Sequence, residues 1–177
     1  MSAAKVKAVQ QMENPMRKVS IQKVVLSAGA KDKELEKARK LLELISQAKP
    51  QLIASSKRIP DFKVNPGIEV GTRVTIRDKA AIDLLRRLLG AVENKIKQKQ
   101  VTDNHFSFGI EEYIEIPGME YQRDIGIRGL NVTVVFVRAG QRVKLKKIKS
   151  GHFPKRQMVK KEEIINFMKE GFKTTFI

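Results

Sequence analysis

The stretch Arg138–Lys161 carries ten Lys or Arg residues in 24 positions and contains neither Asp nor Glu. Like charges at this density repel one another and oppose compaction unless a dense anion neutralises them. The phosphate backbone of a nucleic acid is such an anion, because each contact also releases condensed counterions. A solvated loop is the alternative interpretation, but the whole chain has a net charge of +17. The charge pattern therefore predicts a protein that binds nucleic acid.

The rest of the chain has the composition of a folded protein. Of its 177 residues 41% are hydrophobic, more than a disordered basic tail would carry. A domain of this size buries roughly 70% of the surface of its unfolded chain. We expect a single domain over residues 14–177, preceded by a mobile basic N-terminal arm over residues 1–13.

Several classes of protein are disfavoured. The chain has no cysteine, which excludes disulfides, thiolate metal sites and cysteine catalysis and agrees with a reducing cytoplasm. The segment Met1–Glu13 has no apolar core of a secretory signal, and no run of 18 apolar residues could span a bilayer. A membrane surface would need a basic amphipathic helix, whereas the helix candidates here have core-facing stripes. We expect a cytoplasmic protein with no cofactor, metal or membrane partner.

Hydrophobic periodicity predicts alternating strands and helices. The predicted strands are Val19–Ser27, Gln51–Lys57, Thr72–Arg77, His105–Pro117 (one strand or a bent pair, with Gly109 at the bend or bulge) and Leu130–Val137. The predicted helices are Lys33–Ala48 after an Asp32 cap, a second that follows an Asp78 cap and has an apolar stripe reaching Ile96, and Lys161–Glu170. This order indicates an α+β fold, a mainly antiparallel sheet with helices packed on one face.

One strand has a polar, basic face. Along Thr72–Arg77 the residues Arg73, Thr75 and Arg77 alternate with apolar neighbours, so they share one face. They could meet RNA phosphates and 2′-hydroxyls, although solvated strand residues have the same pattern. Aromatic residues make up only 6% of the chain, with no Trp, so base stacking is not the expected main mode of binding.

The segment Lys57–Gly71 is a long connection between strands. It carries Lys57, Arg58 and Lys63 between prolines, which stiffen the chain. A plain connecting loop is usually shorter than this. The length favours a functional projection.

Catalytic patterns are weak. His105 and His152 lie 47 positions apart without a ligand pattern around them. The glutamates Glu111, Glu112 and Glu115 could hold a metal, but in an alternating strand Glu112 would point away from the other two. Three functions stay open: a structural RNA-binding protein, an RNA-processing enzyme that uses these glutamates with Mg²⁺, and a DNA-coating protein. We favour the first and predict no enzyme activity.

Short segments along the chain occur in the order typical of one family. They are Asn14–Met16 (NPM), Lys23–Leu26 (KVVL) leading into Gly29, the helix end Leu41–Pro50, Val74–Arg77 (VTIR), Phe106–Tyr113 (FSFGIEEY) and Asp124–Val135 (DIGIRGLNVTVV). On these segments, the last two being specific, the chain resembles the large-subunit ribosomal protein L five family in its archaeal form. The resemblance covers residues 13–170.

The resemblance implies a protein of the central protuberance that docks 5S rRNA onto the large subunit. It also implies contacts with large-subunit rRNA, a neighbouring 5S-associated protein, the elbow of P-site tRNA and a protein of the small-subunit head. Together with the residue patterns, it gives these expected rRNA-binding residues: Lys23, Ser27, Gly29, Lys49, Arg73, Thr75, Arg77, Arg142, Lys144, Lys146 and Lys147. The expected tRNA-binding residues are Lys57, Arg58, Lys63 and Asn65.

Two positions depart from the family pattern. The family usually has Asn where Ser27 stands, and Gly-Gln where this chain has Gln47-Ala48. Asn and Gln offer both a donor and an acceptor, whereas Ser is shorter and Ala has no polar side chain. Water or a neighbouring lysine such as Lys49 would then replace the missing contacts.

Overall fold

The structure is a computed structural model that describes residues 14–177, so the expected arm at residues 1–13 lies outside the described part. The strands are β1 (Val19–Gly29), β2 (Gln51–Ala54), β3 (Glu69–Arg77), β4 (Lys95–Ile96), β5 (Val101–Thr102), β6 (His105–Ile110), β7 (Leu130–Arg138) and β8 (Thr175–Phe176). The helices are α1 (Lys33–Ser46), α2 (Asp78–Ala91), the short α3 (Arg142–Leu145) and α4 (Lys161–Phe172).

Six strands form one antiparallel sheet in the order β2-β3-β1-β7-β6-β5, while β4 and β8 pair in parallel beside it. Alternation along the central strands buries Val24 and Leu26 of β1 and Val132 and Val134 of β7 on one face. Helices α1 and α2 pack there on β1 and β3, and α4 packs on β1 and β5. The predicted α+β fold, with helices on one face of a mainly antiparallel sheet, is confirmed.

A bulge in β1 decides which residues face the helices. Ile21 pairs with Phe136 but Lys23 pairs with Val135, so the register shifts at Gln22. An extra residue in one strand reverses the alternation beyond it. Ile21 therefore packs against the core, while Lys23 lies on the opposite face with Val25 and Ser27. The bulge keeps the core side apolar and the other side polar.

The second helix is shorter than its apolar stripe indicates. It ends at Ala91, because Glu93 and Asn94 adopt left-handed backbone conformations that no helix continues through. Ile96 is still buried, but it belongs to β4 rather than to the helix. Asp78 is the first residue of α2 rather than its cap, and Asp32 makes no capping side-chain hydrogen bond to α1.

Other predicted boundaries also need correction. The first helix ends at Ser46 because Gln47 is left-handed, and β2 stops at Ala54. The predicted strand His105–Pro117 ends at Ile110 and is followed by a 3₁₀ helix, Tyr113–Glu115. Gly109 is a regular strand residue opposite Asn131, not a bulge or bend. Of the helices described over residues 14–177, none is long and apolar enough to cross a membrane.

The basic stretch Arg138–Lys161 is only partly surface. Residues 142–156 are exposed apart from the half-buried Phe153, whereas Val159 is fully buried in the core. The Asn104 side chain accepts a hydrogen bond from the Val159 amide at 2.9 Å, and the Asn104 amide donates to the Val159 carbonyl at 3.0 Å. The stretch thus has an anchored end and an exposed loop. The charge density of Arg138–Lys161 predicts that the whole stretch packs against rRNA and is poorly ordered alone, and this stays a prediction.

Deleting Arg142–Arg156 should change the free energy of unfolding by less than about 1 kcal/mol, because the loop contributes no fully buried side chain. The residues that flank it both contact Met16: the Gln157 side chain donates to the Met16 carbonyl at 3.4 Å, and Gly140 lies beside the Met16 side chain. Urea unfolding monitored by circular dichroism measures the change. The matched control Val159→Ala should cost about 2 kcal/mol. A collapse of the deletion variant would show that the loop belongs to the core.

Candidate nucleic-acid interface

The face of the sheet turned away from the helices carries mostly polar side chains, and we call it the open face. Strand register places its side chains in rows that cross the sheet. The first row is Gln51, Arg73, Ser27, Asn131 and Gly109; the second is Thr75, Val25, Thr133 and Ser107; the third is Arg77, Lys23, Val135 and His105. All are half-buried or exposed. Five of the expected rRNA-binding residues lie here: Lys23, Ser27, Arg73, Thr75 and Arg77.

The open face holds two cations opposite each other. Lys23 and Arg77 are direct partners in the antiparallel pairing of β1 and β3, and like charges at directly opposite positions destabilise a sheet. Among residues 14–177, neither forms an ion pair with a carboxylate. A bound polyanion would relieve this repulsion. Arg73, four residues before Arg77, is held by a hydrogen bond from its Nε to Gln51 Oε1 at 3.2 Å.

One corner of the open face is a depression of about 490 Å³, lined in part by Ser27, Gly29, Gly109, Gly129 and Asn131. Gly29 and Gly109 leave the backbone accessible, so another chain could approach closely there. Ser27 and Asn131 are paired directly across β1 and β7. Asn131 was not among the expected site residues, although its place on the polar side of the alternating Leu130–Val137 strand is visible in the sequence.

The structure does not bring all expected rRNA-binding residues onto the open face. Lys49 is exposed beside it, two residues before Gln51 at the edge of the sheet. The cluster Arg142, Lys144, Lys146 and Lys147 is exposed in and after α3, beyond the end of β7. These cations form a separate basic surface.

The long connection after β2 is a folded projection. Ile59 and Val64 exchange two backbone hydrogen bonds of 2.9 and 3.1 Å, and the Lys31 ammonium donates to the Lys63 carbonyl at 3.0 Å. Val64 is buried, while Phe62 at the tip is 74% exposed. The expected tRNA-binding residues Lys57, Arg58, Lys63 and Asn65 are all exposed on this projection.

The candidate catalytic residues are not assembled into a site. Glu111, Glu112 and Glu115 are exposed, but they do not lie in the alternating strand that was predicted: Glu111 is in a bend, Glu112 precedes the 3₁₀ helix and Glu115 ends it. Over residues 14–177 no group of three metal-ligating side chains could hold an ion. His105 contacts the hydroxyl of Thr102 at 3.1 Å within the β5–β6 hairpin, a structural arrangement.

A basic α+β protein with cations, hydroxyls and amides on one uncovered face of its sheet has the features of a nucleic-acid-binding protein. Comparison with known families agrees. Residues 14–65 match the family model described as ribosomal protein L5, and residues 69–167 match the model for the C-terminus of the same ribosomal family. The border between the two models falls just before β3, yet one sheet runs through both.

Archaeal relatives match along nearly the whole chain. A large ribosomal subunit protein uL5 from Nanoarchaeum equitans is 40% identical, over 90% of this chain and 96% of the relative. Those from Sulfolobus acidocaldarius and Sulfurisphaera tokodaii are 39% and 37% identical, over 93% and 94% of this chain and 94% and 97% of theirs.

The chain therefore belongs to the ribosomal protein L5 family of the large subunit. Its partners are rRNA and ribosomal proteins, its location is the ribosome in the cytoplasm, and it is not an enzyme.

Replacing Lys23 by Gln should stabilise the isolated protein, because it removes the repulsion with Arg77. The expected gain in the free energy of unfolding is about 0.2–1 kcal/mol at low salt, and it should shrink as salt screens the pair. Urea unfolding at low and high salt measures it. Lys37→Gln on the exposed side of α1 is the control with the same charge change. Equal effects of the two substitutions would show that the pair is not repulsive.

Proposed function

We propose that the chain binds 5S rRNA through the open face and helps to attach it in the central protuberance of the large subunit. Family membership supports a role on rRNA, and the opposed cations Lys23 and Arg77 are the single observation that most favours this face. Such a pair costs stability in the free protein, and phosphate contacts would offset that cost. We further propose that residues 14–177 act as one RNA-binding domain.

The chemistry of the open face suits RNA shape rather than base stacking. Hydroxyls of Ser27, Thr75 and Thr133 can exchange hydrogen bonds with 2′-hydroxyls in a wide, shallow minor groove. Lys23, Arg73 and Arg77 would bind the flanking phosphates. Gly29 lies at the end of β1 and would let the RNA backbone approach closely.

In the proposed interface, a neighbouring residue would compensate for Ser27, which stands where the family usually has Asn. Asn131 stands directly opposite Ser27, so its amide would supply the donor and acceptor that Asn at position 27 gives in the family. Lys49 is exposed next to Ala48 and would supply a phosphate contact there. The exposed cations Arg142, Lys144, Lys146 and Lys147 would contact large-subunit rRNA.

We propose that the projection over residues 57–65 contacts P-site tRNA. Its backbone is fixed by the hydrogen bonds between Ile59 and Val64, so it can hold Lys57, Arg58, Lys63 and Asn65 in a defined arrangement against tRNA phosphates. A protein of the small-subunit head and a neighbouring 5S-associated protein complete the proposed partners, as the family resemblance implies.

The variant Arg73→Gln/Arg77→Gln should bind 5S rRNA roughly tenfold more weakly, and the dependence of log affinity on log salt should become shallower by about two. Fluorescence titrations across a salt series measure both. The variant Lys37→Gln/Lys40→Gln makes the same change of charge on α1 and should have a much smaller effect. If both variants lose affinity equally, bulk charge rather than the open face binds the RNA.

The same titrations should be run against duplex DNA of equal length. A protein that recognises the shape of a folded RNA should still prefer 5S rRNA to DNA at high salt, because salt screens shape contacts less than phosphate contacts. Equal affinity for DNA and 5S rRNA at every salt concentration would favour the DNA-coating alternative.

The variant Lys57→Gln/Arg58→Gln/Lys63→Gln should loosen P-site tRNA on assembled ribosomes without changing affinity for 5S rRNA. We expect roughly a tenfold faster tRNA dissociation, because three phosphate contacts are lost. Dissociation of labelled tRNA measures it, with Lys37→Gln/Lys40→Gln ribosomes as control. Loss of 5S rRNA affinity instead would assign the projection to rRNA.

A further inference from the structure

The depression at the corner of the open face differs in charge from the rest of that face. Of the described residues that line it, none is Lys or Arg, and Glu111 is the one acidic residue. Ser27, Gln100 and Asn131 contribute neutral side chains that can form hydrogen bonds. A carboxylate repels phosphate, and no cation in the lining offsets that repulsion. The depression is therefore unsuited to the RNA backbone, although it lies on the face that we propose to bind RNA.

The backbone around Glu111 holds this residue at the edge of the depression. Directly before it, Ile110 pairs with Leu130 at the end of β6. Two residues after it, Tyr113 is fully buried in the core. Gly129 packs so closely on the other side that a Cβ at this position would lie 2.7 Å from the Glu111 carbonyl oxygen. The position of the Glu111 backbone relative to the open face is therefore fixed by the fold.

The polar side chains of the depression are available to a ligand. Within the described residues 14–177, no ion pair includes Glu111. Gly109 lies opposite Asn131, and a Cβ at position 109 would lie 3.4 Å from Asn131 Oδ1. The absence of a side chain at Gly109 thus leaves space next to the Asn131 amide. On its other side Asn131 pairs with Ser27, so a carboxylate, an amide and a hydroxyl surround one depression.

These groups match the edge of one nucleobase better than the others. An ionised carboxylate only accepts hydrogen bonds, and its two oxygens suit two parallel N–H donors. Guanine has two such donors side by side, N1–H and the N2 amino group, on its Watson–Crick edge. Adenine, cytosine and uracil place an acceptor beside the donor on that edge, and this acceptor would face the second carboxylate oxygen. The edge of guanine is free only where the base is unpaired, as in RNA loops and bulges.

We propose that the depression binds the Watson–Crick edge of an unpaired guanine of 5S rRNA, with the Glu111 carboxylate accepting from both N–H groups. The Asn131 amide is available to donate to the guanine O6. Arg73 pairs directly with Ser27, so a phosphate bound to Arg73 would bring the RNA chain beside the depression. The proposal rests on the proposed function and deepens it, because it adds a base-specific contact to a face that otherwise recognises RNA shape and phosphates.

The test compares Glu111→Gln with Glu112→Gln in the full chain. Removing a negative charge should by itself raise the affinity of a protein for any polyanion. We nevertheless expect Glu111→Gln to bind 5S rRNA roughly tenfold more weakly, because the Gln amide group would face a guanine donor. Its affinity for duplex DNA of equal length should not fall. The dependence of log affinity on log salt should stay the same, since no phosphate contact is lost.

Glu112→Gln is the matched control. Glu112 is the next residue, is exposed like Glu111 and does not line the depression, so its substitution should weaken binding to neither nucleic acid. Because both side chains are exposed, the urea unfolding curves of the two variants should coincide with that of the unchanged protein. Kethoxal, which reacts with N1 and N2 of unpaired guanines, gives a second measurement. At saturating protein, the unchanged chain and Glu112→Gln should protect a guanine of 5S rRNA that Glu111→Gln leaves reactive.

The proposal is overturned if Glu111→Gln matches Glu112→Gln in affinity and in kethoxal protection, which would make Glu111 a solvated carboxylate. It is also overturned if Glu111→Gln weakens 5S rRNA and duplex DNA equally, because a base-specific contact would not affect DNA. The variant Arg73→Gln/Arg77→Gln separates this proposal from the proposed function. If that variant keeps its 5S rRNA affinity while Glu111→Gln loses it, the guanine contact stands and the proposed phosphate contacts fail. In the opposite case the phosphate contacts stand and the guanine contact fails.

Discussion

The one-sided burial of the six-stranded sheet is the constraint on which the rest of the structure depends. Helices α1, α2 and α4 cover the face that carries Val24, Leu26, Val132 and Val134. Strand alternation then forces every second residue of the same strands onto the other face. Once the core is apolar, the composition of the open face is decided by the intervening residues, and in this chain they are mostly cations, hydroxyls and amides. The same strands thus build both the core and the candidate interface.

The candidate interface carries a cost in stability that the core must offset. Three features are each unfavourable in the free protein: the opposed cations Lys23 and Arg77, a loop dense in lysine, and the buried Nε of Arg138, which has no hydrogen-bond partner among residues 14–177. In the proposed complex with RNA, phosphates would offset these costs. The residues proposed to bind RNA therefore lower the stability of the free protein, as is common at functional sites.

Local patterns predicted the parts of the fold that depend on a regular period. Leu130–Val137 and Thr72–Arg77 alternate cleanly, so both strands and the side of Arg73, Thr75 and Arg77 followed from the sequence. The irregular parts did not. The register shift at Gln22 and the left-handed residues Glu93 and Asn94 depend on how the chain packs, and no periodicity marks them. Contacts between residues distant in sequence could not be predicted either. The Asn104 side chain accepts a hydrogen bond from the Val159 amide, 55 positions away, so the anchored end of the basic stretch could not be predicted from its charge pattern alone.

The distribution of the charge matters more than its total. A net charge of +17 gives any nucleic acid some affinity, and that part is lost steeply as salt rises. Selectivity needs cations held in fixed positions. The Nε of Arg73 donates a hydrogen bond to Gln51, and the bulge in β1 places Lys23 on the open face. The buried Val159 anchors residues 152–160. The loop around Lys146 has no such anchor, because none of residues 142–156 is fully buried. In the proposed function the loop would therefore contribute non-specific attraction, and the open face would contribute the choice of RNA.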